Sequence, residues 1–184
     1  MMVDPKTVFW YVLFATHGKA TKISDYLKTT PIEHFFPYYY KEKQVKESQR
    51  VKRTLQPLLG NIVFVKSTKA HLDPFLKEIK LQLNITSDLY YRYIGTREFI
   101  VVPEPQMLSF IAIAGSNHDQ IIYLSNNEIN MKKGTKVRVT GGIFEGVEGI
   151  FMRIQGDKRV VVSIPNLLSV ATAFIPSRFI LPLE

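Results

Sequence analysis

A chain of 184 residues, 46% apolar and 22% charged, has ordinary globular composition and is long enough for one medium domain or two small ones. It contains no cysteine, which excludes a disulfide framework, a thiolate metal site and a cysteine nucleophile. The formal net charge of +8 suits an anionic partner, nucleic acid included, and the excess is densest at the C-terminal end: residues 131–184 carry 8 Lys+Arg against 4 Asp+Glu, residues 1–130 carry 16 against 12.

The first apolar run, Val8 to Phe14, is far shorter than the roughly 20 residues a membrane-spanning helix needs. Asp4-Pro5-Lys6 before it makes a poor cationic leader, and no small-residue cleavage site follows. The run therefore reads as a buried strand over 10–15 in a cytoplasmic protein with no targeting segment or membrane span. Gly18 breaks it, and Ala20, Ile23 and Leu27 recur at helical spacing, predicting a helix to about Leu27. A second strand is expected over 35–40, then a basic polar stretch over 41–53, then a third strand over 61–65.

Asp73-Pro74 predicts the start of a second helix, since proline suits a first turn, with Leu72, Phe75, Leu76 and Ile79 on one face. Strands over 89–94 and 99–102 are joined by a turn at Gly95. Glu104-Pro105 opens a third helix whose stripe is Met107, Phe110, Ile111 and Ala114, and Gly115 ends it. Residues 116–131 have the composition of a linker around one apolar island at 121–124. Short strands follow over 136–139, 149–154, 159–164, 170–175 and 179–181, punctuated by Gly, Asn and Pro. That rhythm predicts a small barrel or sandwich with no room for a catalytic cavity. The fold class is therefore α+β: an antiparallel sheet flanked by helices over 1–115, a linker over 116–131 and a small all-β domain over 132–184.

Signals for enzyme chemistry are weak. Gly141 and Gly146 have the spacing of a phosphate-binding loop, but Val147-Glu148 stands where Lys and Ser/Thr are required. The histidines, at 17, 34, 71 and 118, fall in no metal-ligand spacing, and no Gly-x-Ser-x-Gly elbow occurs. No catalytic residue, metal or cofactor is expected, and the chain is read as a binding protein.

Three stretches suit binding. The first strand is apolar on both faces, with Trp10, Val12 and Phe14 opposite Tyr11 and Leu13. The third strand repeats this, with Ile62 and Phe64 opposite Val63 and Val65. A sheet covered by helices on one side alternates apolar with polar, so the second face here is covered either by another helix or by a partner. The basic stretch carries Lys41, Lys43, Lys46, Arg50, Lys52 and Arg53 behind Tyr38-Tyr39-Tyr40, as a solvated hairpin or an electrostatic contact with nucleic acid. His17, Lys19 and Lys22 add charge at the start of the first helix. In the C-terminal part, Ile164-Pro165-Asn166-Leu167-Leu168 forms an apolar tip between strands, where Ile164 suits the core and Leu167 and Leu168 are harder to bury at a turn.

Two motifs carry a resemblance. Trp10-Tyr11-Val12-Leu13-Phe14 is followed by Gln56-Pro57-Leu58-Leu59-Gly60-Asn61-Ile62-Val63-Phe64-Val65, and this resembles the N-terminal domain of NusG-type transcription factors. There a Trp-Tyr strand pairs with one introduced by an aromatic-Pro-Gly/Asn-Tyr turn; here Leu59-Gly60-Asn61-Ile62 replaces that turn. The form is similar to the specialised paralogues, RfaH and the capsule-locus antiterminators called UpxY. Lys133-Gly134-Thr135-Lys136-Val137-Arg138-Val139, then Gly142 to Phe151, looks like a KOW motif: a strand, a glycine-containing turn and a second strand, with Thr135 where an acidic residue is usual and Phe144 able to plug the barrel.

The resemblance implies a KOW domain folded as an SH3-like barrel and a factor acting in transcription elongation or antitermination, in the paralogues as a regulator of capsular polysaccharide loci. It implies that Phe14, Leu59, Ile62 and Phe64 grip the RNA polymerase clamp. DNA in the transcription bubble would meet Lys46, Arg50, Lys52 and Arg53, together with His17, Lys19 and Lys22, although Thr16 and Tyr26 depart from the basic residues RfaH has there. Ile164, Pro165, Leu167 and Leu168 would contact a small-subunit ribosomal protein or the termination factor Rho. A ribosomal or RNA-binding KOW protein is the alternative, and it needs only the C-terminal half.

Overall fold

The protein is described from a computed structural model, which places residues 6–44, 51–116, 118–125, 134–164 and 166–183. The chain divides into two compact units, Met1–Pro103 and Glu104–Glu184. Helices and antiparallel sheets are mixed in it, with three α-helices among the described residues.

In the first unit β1 (Val8–Phe14) runs into α1 (Lys19–Leu27), β2 (His34–Phe35), β3 (Tyr38–Gln44), β4 (Val51–Pro57), β5 (Ile62–Thr68), α2 (Lys69–Gln82) and β6 (Val101–Val102). One sheet has the order β2-β5-β1-β6, and β3 and β4 form a separate two-stranded hairpin. β1 and β5 pair along their full length, Val8 opposite Thr68 and Phe14 opposite Ile62. One face of this pair, Tyr11, Leu13, Val63 and Val65, packs on Ala20, Ile23 and Leu27 of α1 and Leu72, Leu76 and Ile79 of α2. α1 begins after Gly18, whose φ of 71° supplies a left-handed turn that costs glycine little.

Three local expectations are corrected here. The strand expected over 35–40 breaks at Pro37, which has no N–H for a ladder: Phe35 stays in the sheet opposite Phe64, while Tyr38 onward leaves to pair with β4. α2 begins at Lys69 instead of Asp73, because the Thr68 side chain accepts a hydrogen bond from His71 N (3.2 Å) and caps the helix, leaving Pro74 inside it. The strands expected over 89–94 and 99–102 reduce to single bridges, Leu13 with Tyr90 and Arg92 with Phe99, plus β6 on Trp10 and Tyr11. The turn between them is at Gly95, as expected.

The second unit opens with α3 (Glu104–Ala114) and continues through β7 (Ile122–Leu124), β8 (Thr135–Val139), β9 (Glu148–Ile154), β10 (Asp157–Ile164), β11 (Leu168–Ala171) and β12 (Ile180–Pro182), which is preceded by a 3-10 turn at Ser177–Phe179. Its sheet has the order β12-β8-β9-β10-β11-β7. Gln155 and Gly156, both at positive φ (52° and 91°), make the two-residue turn between β9 and β10. Gly149 is needed for close approach: a Cβ there would lie 2.5 Å from the Val161 carbonyl oxygen. Phe144 is buried, as its place in the motif suggested.

The division differs from the expected 1–115, 116–131 and 132–184. α3 packs on β9, β10 and β11 of its own unit. Gln106 Nε2 donates to the Ser163 carbonyl, and Ser109 Oγ accepts from Glu148 N (3.1 Å). Within the stretch read as linker, the apolar island forms β7 and pairs with β11. Apolar side chains in a polar stretch were the signal, and the free edge of β11 is what they needed.

Candidate functional site

Directly opposed residues of an antiparallel pair point to the same side. The register sets Phe14 opposite Ile62, Val12 opposite Phe64, and Phe35 opposite Phe64 on the other edge. Phe14, Ile62 and Phe64 therefore share the sheet face turned away from the helical core, with Trp10 and Val12. Phe64 and Val12 are fully buried and Ile62 is 5% exposed, while Phe14 and Leu59 are half-buried. The Leu59 carbonyl accepts from Ile62 N (3.0 Å), which sets the turn entering β5. Phe14 stacks on Tyr91, with centroids 5.4 Å apart at 28°, and Phe35 lies 6.5 Å from Phe64. Phe35 and Tyr91 belong to this face and were not singled out from the sequence; their only signal was a place in aromatic runs. Trp10 Nε1 is buried without a hydrogen-bond partner among the described residues.

The basic stretch forms the β3–β4 hairpin, with Lys41 opposite Thr54, Glu42 opposite Arg53 and Lys43 opposite Lys52. Lys46 and Arg50 lie outside the described residues, and Arg53 is exposed. Tyr40 and Leu55, an opposed pair, are both 52% exposed. At the start of α1, His17 and Lys22 are exposed, and His17 Nδ1 lies 2.8 Å from Thr16 Oγ1. Lys19 is engaged, donating from Nζ to the Asn84 carbonyl (3.0 Å). The two basic groups thus sit on separate elements of the first unit.

In the second unit Ile164 pairs with Leu168 across the β10–β11 turn. Ile164 is fully buried and Leu168 is 6% exposed, so the expectation that Leu168 resists burial is corrected: it is the first residue of β11 and packs inward. Leu167 remains half-buried beside Asn166 at φ 60°, and Pro165 lies outside the described residues. A separate apolar groove of about 250 Å³ is lined by Gly141, Ile143, Phe144, Phe174, Pro176 and Phe179. Ile143 and Phe174 on its rim are 68% and 53% exposed.

Two polar clusters were not foreseen. In the first unit, Asp73 accepts from Tyr90 Oη (2.7 Å) and pairs with Lys69. Burial pushes the Asp73 carboxyl up, but the bonds from Lys69 and Tyr90 and the charges of Lys69 and Lys77 outweigh it, and its pKa falls below the ordinary 3.8. Burial, then the Asp73 bond, push the Tyr90 phenol far above its usual range. In the second unit, buried Arg159 donates from Nη1 to the carbonyls of Gln120 and Thr172 (both 2.7 Å) and from Nη2 to Asp157 Oδ2 (3.0 Å). The Lys69–Asp73 and Asp157–Arg159 pairs are local in the chain, but Tyr90 stands 17 residues from Asp73 and Gln120 stands 39 from Arg159, so neither whole cluster leaves a sequence trace.

Among the described residues no three His, Asp or Glu side chains are placed to hold a metal ion, and no helix is long and apolar enough to cross a membrane. The arrangement offers an aromatic sheet face and a basic hairpin in one unit and apolar surface in the other. These are means of binding. Residues 9–132 match the family model described as "Transcription termination factor nusG", which is more than half of the chain. No curated protein matches the chain.

Proposed function

The chain belongs to the NusG family of transcription factors, and on that footing we propose that it acts in transcription elongation or antitermination by holding RNA polymerase through its first unit. The observation that carries this reading is the register that gathers Phe14, Ile62 and Phe64 on one face. Phe14, Phe35 and Tyr91 are the half-buried members that a partner can touch, buried Ile62 and Phe64 hold them from within, and half-buried Leu59 lies in the turn that enters β5. The action is mechanical: a factor that bridges the polymerase cleft disfavours opening, and pausing falls. No catalytic step is involved.

The finer reading is a specialised factor of the RfaH or UpxY kind, acting at capsular polysaccharide loci. Its first support is the Pro57-Leu58-x-x-Asn61-x-x-Phe64-Val65 form of the sequence. The basic β3–β4 hairpin and the exposed His17 and Lys22 supply charge for DNA in the transcription bubble. Residues 132–184, within the second unit, are proposed to be a KOW domain of SH3-like type, in keeping with five short strands over 135–182 and buried Phe144. It would recruit a small-subunit ribosomal protein or Rho through Leu167 and its neighbours. The family match lies mainly on the first unit, which weighs against a ribosomal KOW protein, since that reading needs only the C-terminal half.

The test is polymerase affinity of Phe14→Ala. Truncating a central aromatic anchor typically costs about 2 kcal/mol, roughly 30-fold in Kd. A folded Phe14→Ala protein that binds polymerase as tightly as the parent would remove this face from the interface.

A further inference from the structure

Residues 118–124 are held on the second unit's sheet in two ways. β7 pairs antiparallel with β11, Ile122 opposite Ala171, Tyr123 opposite Val170 and Leu124 opposite Ser169. Just upstream, the Arg159 guanidinium bonds the Gln120 carbonyl and the Thr172 carbonyl through one nitrogen, each at 2.7 Å. One buried cation thus ties the segment's backbone to Thr172, the residue that follows β11. The seat and its occupant differ in quality. Leu168, Ser169, Val170 and Ala171 are all buried, and β10 takes their other side. All three residues of β7 are only half-buried. A three-residue strand on an edge exchanges few hydrogen bonds, and each is worth little net against water. An apolar strand edge with its backbone groups ready to pair is where an extended peptide adds itself to a sheet.

We propose that residues 118–124 are a displaceable strap, and that the β11 edge beneath them is a docking site for an extended apolar strand of a protein partner. The strap shows the chemistry of that partner: an antiparallel segment with branched and aromatic side chains and no proline, like Ile122-Tyr123-Leu124. A backbone ladder is required, so a nucleic acid does not fit the seat. Because the strap is tethered, it competes at high effective concentration. The partner's apparent affinity is lowered by the fraction of molecules in which the edge is open. Arg159 sets that fraction by anchoring the strap at Gln120. The inference concerns the second unit alone and stands apart from polymerase binding by the first.

The experiment uses the full chain and a fluorescent peptide with the sequence of residues 118–125. In a strap-erased protein, Ile122→Gly with Tyr123→Ser and Leu124→Gly, the peptide is expected to bind at least about tenfold tighter than to the parent, as for an edge more than nine-tenths occupied by its own strap. A second protein, Tyr123→Cys with Val170→Cys, places the only two cysteines opposite each other. Oxidised, it should bind no peptide; reduced, it should bind again. Equal binding in the two redox states, or no gain on erasing the strap, overturns the proposal. So does a strap-erased chain whose sheet no longer unfolds cooperatively, since β7 is then a structural strand.

Discussion

Asp73 lies where several local influences meet. Its carboxylate is shared by Lys69 and Tyr90, and Lys69 also lies over the rings of Tyr90 and Phe99. The folded pKa is below the unfolded one. The pairing therefore stabilises the native state above the unfolded carboxylate range, around pH 4, and that contribution is lost as pH falls through the depressed value. Asp73→Asn should lower Tm at pH 7, and the gap from the parent should begin to narrow as pH falls below about 4 and go on narrowing as the depressed value is passed; thermal melts across that range check it. A gap that does not narrow below about pH 4 would assign the loss to packing instead of charge. Gly149 is a steric case. A side chain there meets Val161 O at 2.5 Å and Val160 Cγ1 at 2.8 Å, and backbone cannot swing aside as a side-chain end can. Gly149→Ala should cost roughly 2 kcal/mol in chemical denaturation, in the range of overpacked cores.

Among the elements, the β3–β4 hairpin is the one whose role depends most on charge. It pairs Tyr38 with Pro57 at one end and Gln44 with Val51 at the other. Electrostatic contact with a single DNA strand should give a log–log salt slope of about −0.7 for each phosphate met. Neutralising Lys46, Arg50, Lys52 and Arg53 together should flatten that slope, and an unchanged far-ultraviolet circular dichroism spectrum checks that the fold is kept. Tight binding to one short sequence that survives high salt would instead point to base reading near His17 and Lys22. α3 is the element whose allegiance was misjudged. Its bonds through Gln106 and Ser109 go to β10 and β9 of the second unit. A fragment of residues 104–184 should therefore melt cooperatively and well above a fragment of residues 132–184, and calorimetry on the two decides this. Equal melting temperatures would return the boundary to residue 115.

At the scale of the whole molecule, the two units were legible in the sequence as a change of pattern, from mixed helix and strand to short strands alone, though the division falls at Pro103 and not at residue 115. β1, β5, α1 and α3 were legible because each is a contiguous run whose period is set by its own side chains. Trp10 to Phe14 can bury both faces only as an interior strand, and Ala20, Ile23 and Leu27 meet on one side of any helix. The family motif lay in the same runs, since a strand–turn–strand signature is local. What the sequence did not disclose depends on residues remote in the chain. The break at Pro37 had a local cause in its missing N–H, but the pairing of Tyr38 with Pro57 that follows it had no local signal. The strand at Ile122–Leu124 exists only because β11, some forty-five residues on, leaves an edge open. The burial of Leu168 and of Arg159, and the sharing of Asp73 by Lys69 and Tyr90, are set by neighbours that only folding assembles. Local order is written in the spacing of apolar residues; pairing, burial and the allegiance of α3 were decided in three dimensions, because their free energy comes from surfaces that do not exist until the chain has closed on itself.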